Sequence, residues 1–280
     1  MPELPEVQVV VNDLNVAGII GHKINRIHVN WPASIAGSDV QSFGHRVGGR
    51  TIAAIRRRGK YILFELDDTS IMAVHLRMSG RFMLVQGSDS PPRHVQVELT
   101  FDDRRRLWFH DTRKFGRFYL ASDEGSVCGH LGLEPLEQEF SRKALASLLL
   151  ERRRQIKPLL LDQAIVAGLG NIYVDEALWT AGIHPLRGSH TLSLKEIRRL
   201  HAAIRKVLRQ AIKHSGTSLG DGQNNFARIG GTPGNSGRGS NASHLKVFRR
   251  TGQPCPRCRS TILRIKVAQR STHICPRCQR

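Results

Sequence analysis

The spacing of apolar residues predicts one helix followed by a series of short strands. Val7, Val10, Val11 and Leu14 recur at helical intervals, so we expect a first helix within residues 6–20. The pattern then changes to short β-rich runs separated by turn residues. The predicted strands lie near residues 23–29, 50–56, 61–66, 70–76, 80–85, 94–101, 106–110 and 116–120. Strands of this number and length favour a β-sandwich or a barrel.

Beyond residue 135 the apolar pattern becomes helical. Residues 129–135 contain Gly and Pro and are predicted to form a linker. The helices that follow are expected over residues 141–151, 156–164, 171–181 and 193–214. Ser193 and Glu196 have the spacing of a capping box, which supports the start of the last helix. Its apolar stripe comprises Ile197, Leu200, Ile204, Val207, Leu208, Ala211 and Ile212.

Two glycine-containing segments interrupt the helical region. Gly168 and Gly170 precede Asn171, which is the predicted N-cap of a helix. The backbone N–H groups of this turn could bind a phosphate, and an ordinary joint between helices explains the segment equally well. Residues 215–243 are rich in Gly, Ser and Asn and contain little that could pack. We therefore expect a flexible loop there, of the kind that is functional or disordered.

The composition indicates a globular protein that acts outside the membrane. The 280 residues are enough for two domains, and 40% of them are hydrophobic and 24% charged. No apolar run approaches the roughly 20 residues that span a bilayer. Acidic residues and no basic segment occupy the first 20 positions, which argues against a signal peptide. The cytosol is the expected compartment.

The net charge of +20 indicates a polyanionic partner. It arises from 43 basic and 23 acidic residues, and such an imbalance causes self-repulsion unless a polyanion relieves it. Arginine clusters occur at residues 56–58, 104–106, 152–154 and 249–250, which suggests an extended basic track. Nucleic acid is the commonest partner of this kind, and an anionic membrane surface is the alternative.

Four of the five cysteines form a metal-binding pattern near the C-terminus. Cys255 and Cys258, and again Cys275 and Cys278, are separated by two residues, and sixteen residues lie between the pairs. This spacing matches a four-cysteine zinc ribbon whose ion is structural, because four thiolates complete its coordination. A thiol redox pair and unligated cysteines are the alternatives. Cys128 has no partner motif and is predicted to be a buried structural cysteine.

Pro2 follows the initiator methionine and could become a catalytic amine. A small residue at position 2 permits removal of Met1, which would leave Pro2 with a free secondary amine. An α-amine has a pKa of about 7.7–8.0, so a useful fraction is nucleophilic at neutral pH and can form an iminium ion. Glu3 and Glu6 place carboxyl groups beside it. An ordinary turn leading into a helix is the competing interpretation.

Six segments occur in an order that resembles one protein family. They are Pro2-Glu3-Leu4-Pro5-Glu6, Arg58-Gly59-Lys60-Tyr61, His75-Leu76-Arg77-Met78-Ser79-Gly80, Asp111-Thr112-Arg113-Lys114-Phe115-Gly116, Gly168-Leu169-Gly170-Asn171-Ile172-Tyr173 and the C-terminal cluster of four cysteines. Together they resemble the bacterial formamidopyrimidine-DNA glycosylases over nearly the whole chain. Leu4 favours this branch over the related endonuclease VIII branch, which typically has Gly there and prefers oxidised pyrimidines.

The resemblance implies an α+β multidomain fold and a repair activity. It implies a β-sandwich with a flanking helix in residues 1–130, and a helical domain with a helix–two-turn–helix in residues 135–230. The latter would carry a flexible lesion-recognition loop at about 216–243, and a zinc-finger hairpin would occupy residues 245–280. The implied reaction excises oxidised purines, such as 8-oxoguanine and formamidopyrimidines, from double-stranded DNA. Strand cleavage by β- and δ-elimination follows, and a cytoplasmic monomer with one zinc ion is expected.

The matching motifs also imply catalytic residues. Pro2 matches the family nucleophile that attacks the sugar C1′, and Glu3 matches the general acid/base. Glu6 is expected to help position this pair. Lys60 and Arg270 match phosphate-gripping residues that belong to the catalytic group.

The remaining matches imply DNA contacts. Asn171 matches a further phosphate grip, and His94 and Lys157 are also expected to bind DNA. In the family, three residues fill the space left by an extruded nucleotide, and the matching residues here are Met78, Arg113 and Phe115. Such filling offsets part of the few kcal/mol that base flipping costs. Without the family context, core packing would explain Met78 and Phe115.

Two positions depart from the family pattern. Gly220 follows Gly216-Thr217-Ser218-Leu219 where the family usually has Lys or Arg, so a basic contact is missing. The loop out to Ser243 is also longer and richer in glycine than expected, which bears on base selectivity more than on activity. Arg77 replaces a commoner Gly and could add a DNA contact.

Two rival hypotheses remain at this point. The first is the same fold with endonuclease VIII-like specificity for oxidised pyrimidines. The second is a non-catalytic zinc-ribbon protein that binds DNA, which would explain the charge and the cysteines but not the Pro-Glu start.

Overall fold

A computed structural model describes residues 1–87, 89–218, 225–229 and 239–280 of the chain. The departure expected at Gly220, and most of the predicted loop at 216–243, lie outside the described residues. The chain forms two compact units. The first comprises Met1–His130 with Ser218–Gly239, and the second comprises Leu131–Thr217 with Ser240–Arg280. The finer division at residues 130, 135 and 245 stays a prediction.

The first unit contains three helices and two five-stranded sheets. Its helices are α1 (Leu4–Val16), α2 (Val40–Val47) and α3 (Glu124–Cys128). Its strands are β1 (Ile24–Val29), β2 (Ile35–Ala36), β3 (Ile52–Arg58), β4 (Tyr61–Leu66), β5 (Ile71–His75), β6 (Arg81–Val85), β7 (Val95–Phe101), β8 (Arg106–His110), β9 (Arg117–Ala121) and β10 (Phe226–Ile229). The two strand orders are β1-β7-β8-β6-β10 and β2-β9-β5-β4-β3. Pairing is antiparallel except for β10 beside β6 and β2 beside β9.

An aromatic core joins the two sheets and confirms the predicted sandwich. Phe82 and Phe109 from one sheet pack edge-on against Phe64 and Phe118 from the other, with ring centroids 5.0–6.4 Å apart. This geometry is favourable for aromatic pairs beyond their burial. The apolar stripe of α1 joins the same core, because all four of its predicted members are buried. A helix thus flanks the sandwich, as the pattern of residues 6–20 predicts.

All eight predicted strands are present, with ends shifted by at most two residues, and four described elements of the first unit were missed: α2, α3, β2 and β10. Helix α2 has only Phe43 and Val47 buried, so its apolar signal is short, and Asp39 caps it by accepting the Ser42 N–H at 2.8 Å. Helix α3 and strand β2 are shorter still. Helix α1 ends at Val16, earlier than predicted, because the positive φ of Gly18 (66°) stops it.

Strand β10 corrects the expectation that residues 215–243 contain little that packs. Phe226 pairs with Phe82 in β6 and is only 3% exposed, so it belongs to the core of the first unit. Asn225 donates its side-chain N–H to the Gly80 carbonyl at 3.1 Å. The local sequence is polar on average, and one aromatic residue is enough to dock it on an open sheet edge.

The second unit is helical and ends in a hairpin. Its helices are α4 (Arg142–Leu150), α5 (Ile156–Leu161), α6 (Asn171–Ala181) and α7 (Leu194–Lys213), and its strands are β11 (Leu263–Val267) and β12 (Arg270–Ile274). Short 3-10 turns occur at Pro32–Ser34 in the first unit and at Ser189–Thr191 and Asn241–His244 in the second. The capping box of Ser193 and Glu196 is present. Within the described residues, no helix has the length and apolar character to cross a membrane.

Candidate active site, nucleic-acid interface and metal centre

The N-terminus of α1 carries Pro2, Glu3 and Glu6 in a buried arrangement. Pro2 is buried, and Glu3 and Glu6 are 3% and 8% exposed. Glu3 is the N-cap of α1, and the Glu6 carboxylate accepts the Glu3 N–H at 2.9 Å as half of a capping box. Carboxylates at a helix N-terminus are stabilised by the helix dipole. The structure thus fixes Glu6 as the residue that orients the Pro2–Glu3 segment.

Lys60 lies at the turn between β3 and β4 and is only 7% exposed. The turn depends on Gly59, whose φ of 57° favours glycine. Burial of the imidazole lowers the pKa of His75 to about 3, and the charges of Arg77 and Lys60 add to this shift. His75 is therefore neutral, and its Nδ1 accepts the Arg77 N–H at 2.9 Å. A buried cation beside a neutral imidazole is an arrangement typical of functional sites.

Three of the predicted DNA-contacting side chains project from neighbouring turns of the first unit. Met78 lies in the β5–β6 turn and is 45% exposed, and Phe115 lies in the β8–β9 turn and is 46% exposed. The guanidinium of Arg113 stacks over the Phe115 ring at 4.9 Å. Core packing is thus wrong as an explanation of Met78 and Phe115. Large apolar side chains this exposed are typical of a contact surface.

A fully buried carboxylate, Asp111, joins these two turns. Its Oδ1 accepts the Ser79 hydroxyl and the Arg113 N–H, the latter at 3.2 Å, and its Oδ2 accepts the Gly116 N–H at 2.7 Å. A side chain at Gly116 would collide with the Phe109 ring, so only glycine permits this approach. Asp111 thus holds the β5–β6 turn against the β8–β9 turn. Sequence reasoning assigned it no role, although an Asp directly after a strand is a signal of such a turn.

His94 belongs to the same group of turns. Its carbonyl accepts the Asp111 N–H at 2.9 Å, and its φ of 71° is in the left-handed region. The side chain is exposed, with the His110 ring edge-on at 6.0 Å. Arg77 and Lys114 also have positive φ angles, of 54° and 59°. Non-glycine residues in this region are strained and cluster at functional sites.

In the second unit, Asn171 occupies a position different from the predicted one. Gly170 is the N-cap of α6 and Asn171 is its first residue, so the expected side-chain cap is wrong. The Asn171 side chain instead donates to the Ser271 carbonyl of β12 at 2.9 Å. Asn171 therefore links the start of α6 to the residue next to Arg270.

The position of Lys157 does not agree with its predicted contact to DNA. Its side chain is completely buried in α5, and its Nζ lies 2.6 Å from Asp175 Oδ1 and 3.3 Å from the Ser271 carbonyl. Asp175 also accepts the His273 N–H at 2.9 Å. Moving this buried ammonium to a phosphate group would leave the Asp175 carboxylate in the interior with only its His273 hydrogen bonds, which is unfavourable. Lys157 supports the hairpin from within.

Arg270 lies exposed at the tip of this hairpin. The turn between β11 and β12 consists of Ala268 and Gln269, both with positive φ (44° and 63°). Two left-handed residues match the right-handed twist of a hairpin. Ser271, the next residue, is held by Lys157 and Asn171 through its carbonyl. The backbone that carries Arg270 is thus anchored to two helices.

The four cysteines of the C-terminal pattern converge as a metal site. Their ligand atoms all lie within 4.8 Å of one another. Sγ of Cys255 lies 3.9 Å from Sγ of Cys278, and the sulfurs of Cys258 and Cys275 are 3.4 Å apart. Tetrahedral Zn–S bonds of about 2.3 Å place sulfurs about 3.8 Å apart, so the site fits one structural zinc ion. Cys128 is buried, as predicted.

Glu176 ties the segment before the metal site to α6. It is 4% exposed, and its carboxylate accepts three consecutive backbone N–H groups, from Lys246, Val247 and Phe248, at 2.9–3.0 Å. Burial raises the pKa of this carboxyl, whereas the three donors oppose that rise. The sequence offered no signal for this contact, since an acidic residue inside a helix is usually exposed.

The two units divide the predicted site residues. Those in the first unit are Pro2, Glu3, Lys60, Met78, His94, Arg113 and Phe115. Those in the second unit are Lys157, Asn171, Arg270, Cys255, Cys258, Cys275 and Cys278. The first unit has a buried Pro–Glu start and exposed apolar side chains on neighbouring turns, and the second has a basic hairpin beside a four-cysteine metal site. Together these features are typical of a nucleic-acid-processing protein.

Comparison with known proteins identifies the family. Residues 1–118 match the formamidopyrimidine-DNA glycosylase N-terminal domain, and residues 131–222 match the H2TH domain of the same glycosylases. Residues 252–280 match a zinc finger found in FPG and IleRS. The chain belongs to the formamidopyrimidine-DNA glycosylase family.

Similar proteins cover nearly the whole chain. The formamidopyrimidine-DNA glycosylase of Protochlamydia amoebophila is 44% identical, with 92% of each chain covered. That of a Roseiflexus species is 46% identical, with 94% of each covered. A solved Lactococcus lactis FPG mutant in complex with DNA containing Fapy-dG superposes with a TM-score of 0.90 at 36% identity, over 100% of both chains. The resemblance inferred from six motifs is thereby confirmed.

Proposed function

We propose that this protein removes oxidised purines from double-stranded DNA and then cleaves the strand at the abasic site. The chain is a DNA glycosylase of the formamidopyrimidine type with one structural zinc ion. The observation that carries the mechanism is the buried Pro2–Glu3 segment at the start of α1. The capping box accounts for Glu6, and the burial of the Glu3 carboxylate beside Pro2 supports a catalytic use of this segment.

Base excision begins at the Pro2 nitrogen after Met1 has been removed. Its lone pair forms a bond to the sugar C1′, and the base leaves with the electron pair of the broken glycosidic bond. The nitrogen releases its proton, and the departing base takes up a proton. Glu3 gives a proton to the ring oxygen as the C1′–O bond opens, and the nitrogen–carbon bond becomes an iminium. Glu6 holds Glu3 in place through the 2.9 Å bond to its N–H.

The same iminium prepares strand cleavage. It acidifies the C2′ proton, whose removal expels the 3′ phosphate, and a second elimination expels the 5′ phosphate. Lys60, Arg270 and Asn171 bind the phosphates, and the two cations stabilise the charge that develops on them. The Ser271 contacts of Lys157 and Asn171 fix the backbone next to Arg270 for this task.

The exposed turns of the first unit supply the residues that replace the extruded nucleotide. Met78 and Phe115 act as apolar wedges, and Arg113, stacked on Phe115, pairs with the orphaned base. His94 contacts the backbone nearby. Oxidised purines are the proposed substrate class because Leu4 and this set of three match the purine-excising branch. Oxidised pyrimidines are the alternative substrate class.

Beyond the reaction itself, we propose a three-part chain that acts as a monomer. The sandwich of residues 1–130 is catalytic, residues 135–230 bind DNA, and residues 245–280 form the zinc finger. The segment at about 216–243 serves lesion recognition. The protein works in the bacterial cytoplasm on the nucleoid and without a membrane.

Borohydride trapping on a duplex with one 8-oxoguanine tests this proposal. We expect a covalent adduct with the processed protein, and none with Pro2→Gly or with a form that retains Met1. Glu3→Gln should bind the duplex normally and lose base excision in single-turnover assays. Tight binding without an adduct under any condition would show a non-catalytic DNA-binding protein. The same assay is run on a second duplex that contains an oxidised pyrimidine. Faster formation of the covalent adduct on that duplex would favour the alternative substrate class.

A further inference from the structure

The solvent-facing side of α7 carries a continuous row of cations. At about 3.6 residues per turn, seven positions of this helix fall within an arc of about 100°. Six of the seven are Lys or Arg, all exposed, and the seventh is Ala202. We call these six residues the α7 stripe: Lys195, Arg198, Arg199, Lys206, Arg209 and Lys213. The stripe lies entirely within the second unit.

The stripe lacks the counter-charges that usually accompany surface cations. Within the parts of the chain that the structure describes, none of its members forms an ion pair. Glu196, the one acidic residue of α7, points away from the arc and bonds to Arg187 at 2.9 Å. Lys195 with Arg199, and Arg209 with Lys213, are like-charge neighbours four residues apart. Each such pair destabilises a helix by about 0.2–0.5 kcal/mol.

The stripe has dimensions that suit a nucleic-acid backbone. From Lys195 to Lys213 it extends for about 27 Å at 1.5 Å per residue. One strand of duplex DNA presents about eight phosphates over that length. Six cations along one line therefore face a comparable number of anionic groups. A ligand with one or two charges would use only a fraction of them.

Membrane binding does not fit the same helix. An interfacial helix needs an exposed apolar face to enter the lipid. The apolar face of α7 is buried in the unit, with Ile197, Leu200, Ile204 and Leu208 at most 1% exposed. An acidic protein could match the charge, but DNA is the polyanion that this enzyme already binds during catalysis. Charge complementarity thus favours duplex DNA as the occupant.

We propose that the α7 stripe is an additional DNA-binding surface that holds the phosphate backbone of duplex DNA outside the lesion contacts. This proposal rests on the proposed function only because it names duplex DNA as the polyanion that binds the stripe. The stripe reads no sequence, because lysine and arginine contacts to phosphates carry none. It raises the affinity of the enzyme for undamaged DNA and leaves the chemical step unaffected.

Salt dependence of binding to an undamaged duplex of about three helical turns tests the proposal. The test variant combines Arg199→Gln, Lys206→Gln and Arg209→Gln. The matched control removes three exposed arginines elsewhere, at Arg26, Arg46 and Arg142, also by substitution with Gln. The slope of log K against log salt is negative, and each lost phosphate contact reduces its magnitude by about 0.9. We therefore expect the magnitude of the slope to be about 2.7 smaller in the test variant. In the control variant the magnitude of the slope should change by less than about 0.9, the value of one phosphate contact.

Three outcomes would overturn the proposal. An unchanged slope in the test variant would leave an acidic protein as the partner of the stripe. An equal fall in the control would show a general effect of net charge. A parallel loss of single-turnover excision at saturating enzyme would place the stripe within the lesion site. Binding to undamaged duplex requires no excision, so failure here and failure of the proposed function are distinguishable.

Discussion

Replacing Asp111 with Asn should separate the positioning of the wedge residues from the chemistry. The carboxylate accepts the Ser79 hydroxyl and the Arg113 N–H on one oxygen and the Gly116 N–H on the other. An amide has a single acceptor oxygen. If its NH2 group faces Gly116, that buried backbone N–H loses its acceptor. In the other orientation the Arg113 N–H keeps only the Ser79 hydroxyl as acceptor, at 3.3 Å.

The expected cost follows from these bonds. A buried N–H left without an acceptor costs about 1–3 kcal/mol, and the bonds that remain lose the strengthening given by a charged acceptor, which is worth about 1 kcal/mol. We expect Asp111→Asn to lower the free energy of unfolding by about 2–4 kcal/mol. The control is Asp102→Asn on the exposed β7–β8 turn, which should change it by less than about 0.5 kcal/mol.

The functional effect should exceed a general loss of stability. With the two turns loosened, Met78, Arg113 and Phe115 no longer hold one geometry, and misplacement of this kind costs up to about 100-fold in rate. Single-turnover excision should fall by about 10–100-fold at temperatures well below unfolding, while affinity for undamaged duplex stays unchanged. A destabilised variant that excises the base at the wild-type rate would refute the positioning role of Asp111.

Three further predictions concern the rest of the molecule. Burial holds the pKa of His75 at about 3, so the imidazole stays neutral in the folded protein, whereas it protonates near pH 6.5 in the unfolded chain. The free energy of unfolding should therefore fall as the pH drops from about 6.5 towards 3. In His75→Gln the thermal midpoint should depend less on pH over this range. Lys157→Met should cost about 3–5 kcal/mol in urea unfolding, because the buried Asp175 carboxylate keeps only its His273 hydrogen bonds, and adding Asp175→Asn should recover part of the loss. Arg154→Met at an exposed pair should cost less than about 1 kcal/mol. Removing zinc with a chelator should unfold residues 245–280 and weaken DNA binding, and metal-free protein with full affinity in a titration would contradict the structural role of the ion.

Local sequence predicted the strands and long helices because each buries its own apolar face. The period of about 3.6 in α7 follows from the burial of one face, and the short apolar runs of β4 and β5 follow from burial along nearly their whole length. Both patterns can be recognised without knowing the partner element. The elements that were missed, such as α2 and β10, bury one or two residues each. Phe226 becomes a core residue only because β6 offers an open edge, and nothing in its neighbours along the chain indicates that edge.

The sequence alone determined the family, the four-cysteine metal site and the excess of positive charge, because each resides in residue types and their spacing along the chain. Tertiary structure decided what individual polar side chains do. Lys157 was predicted to bind DNA and lies fully buried against Asp175. Asp111 was assigned no role, and its carboxylate joins the turns that carry Met78 and Arg113. The physical reason is that a charged side chain has the same appearance in a sequence whether it meets water, a phosphate or a buried partner. Only the fold sets its desolvation and its hydrogen bonds.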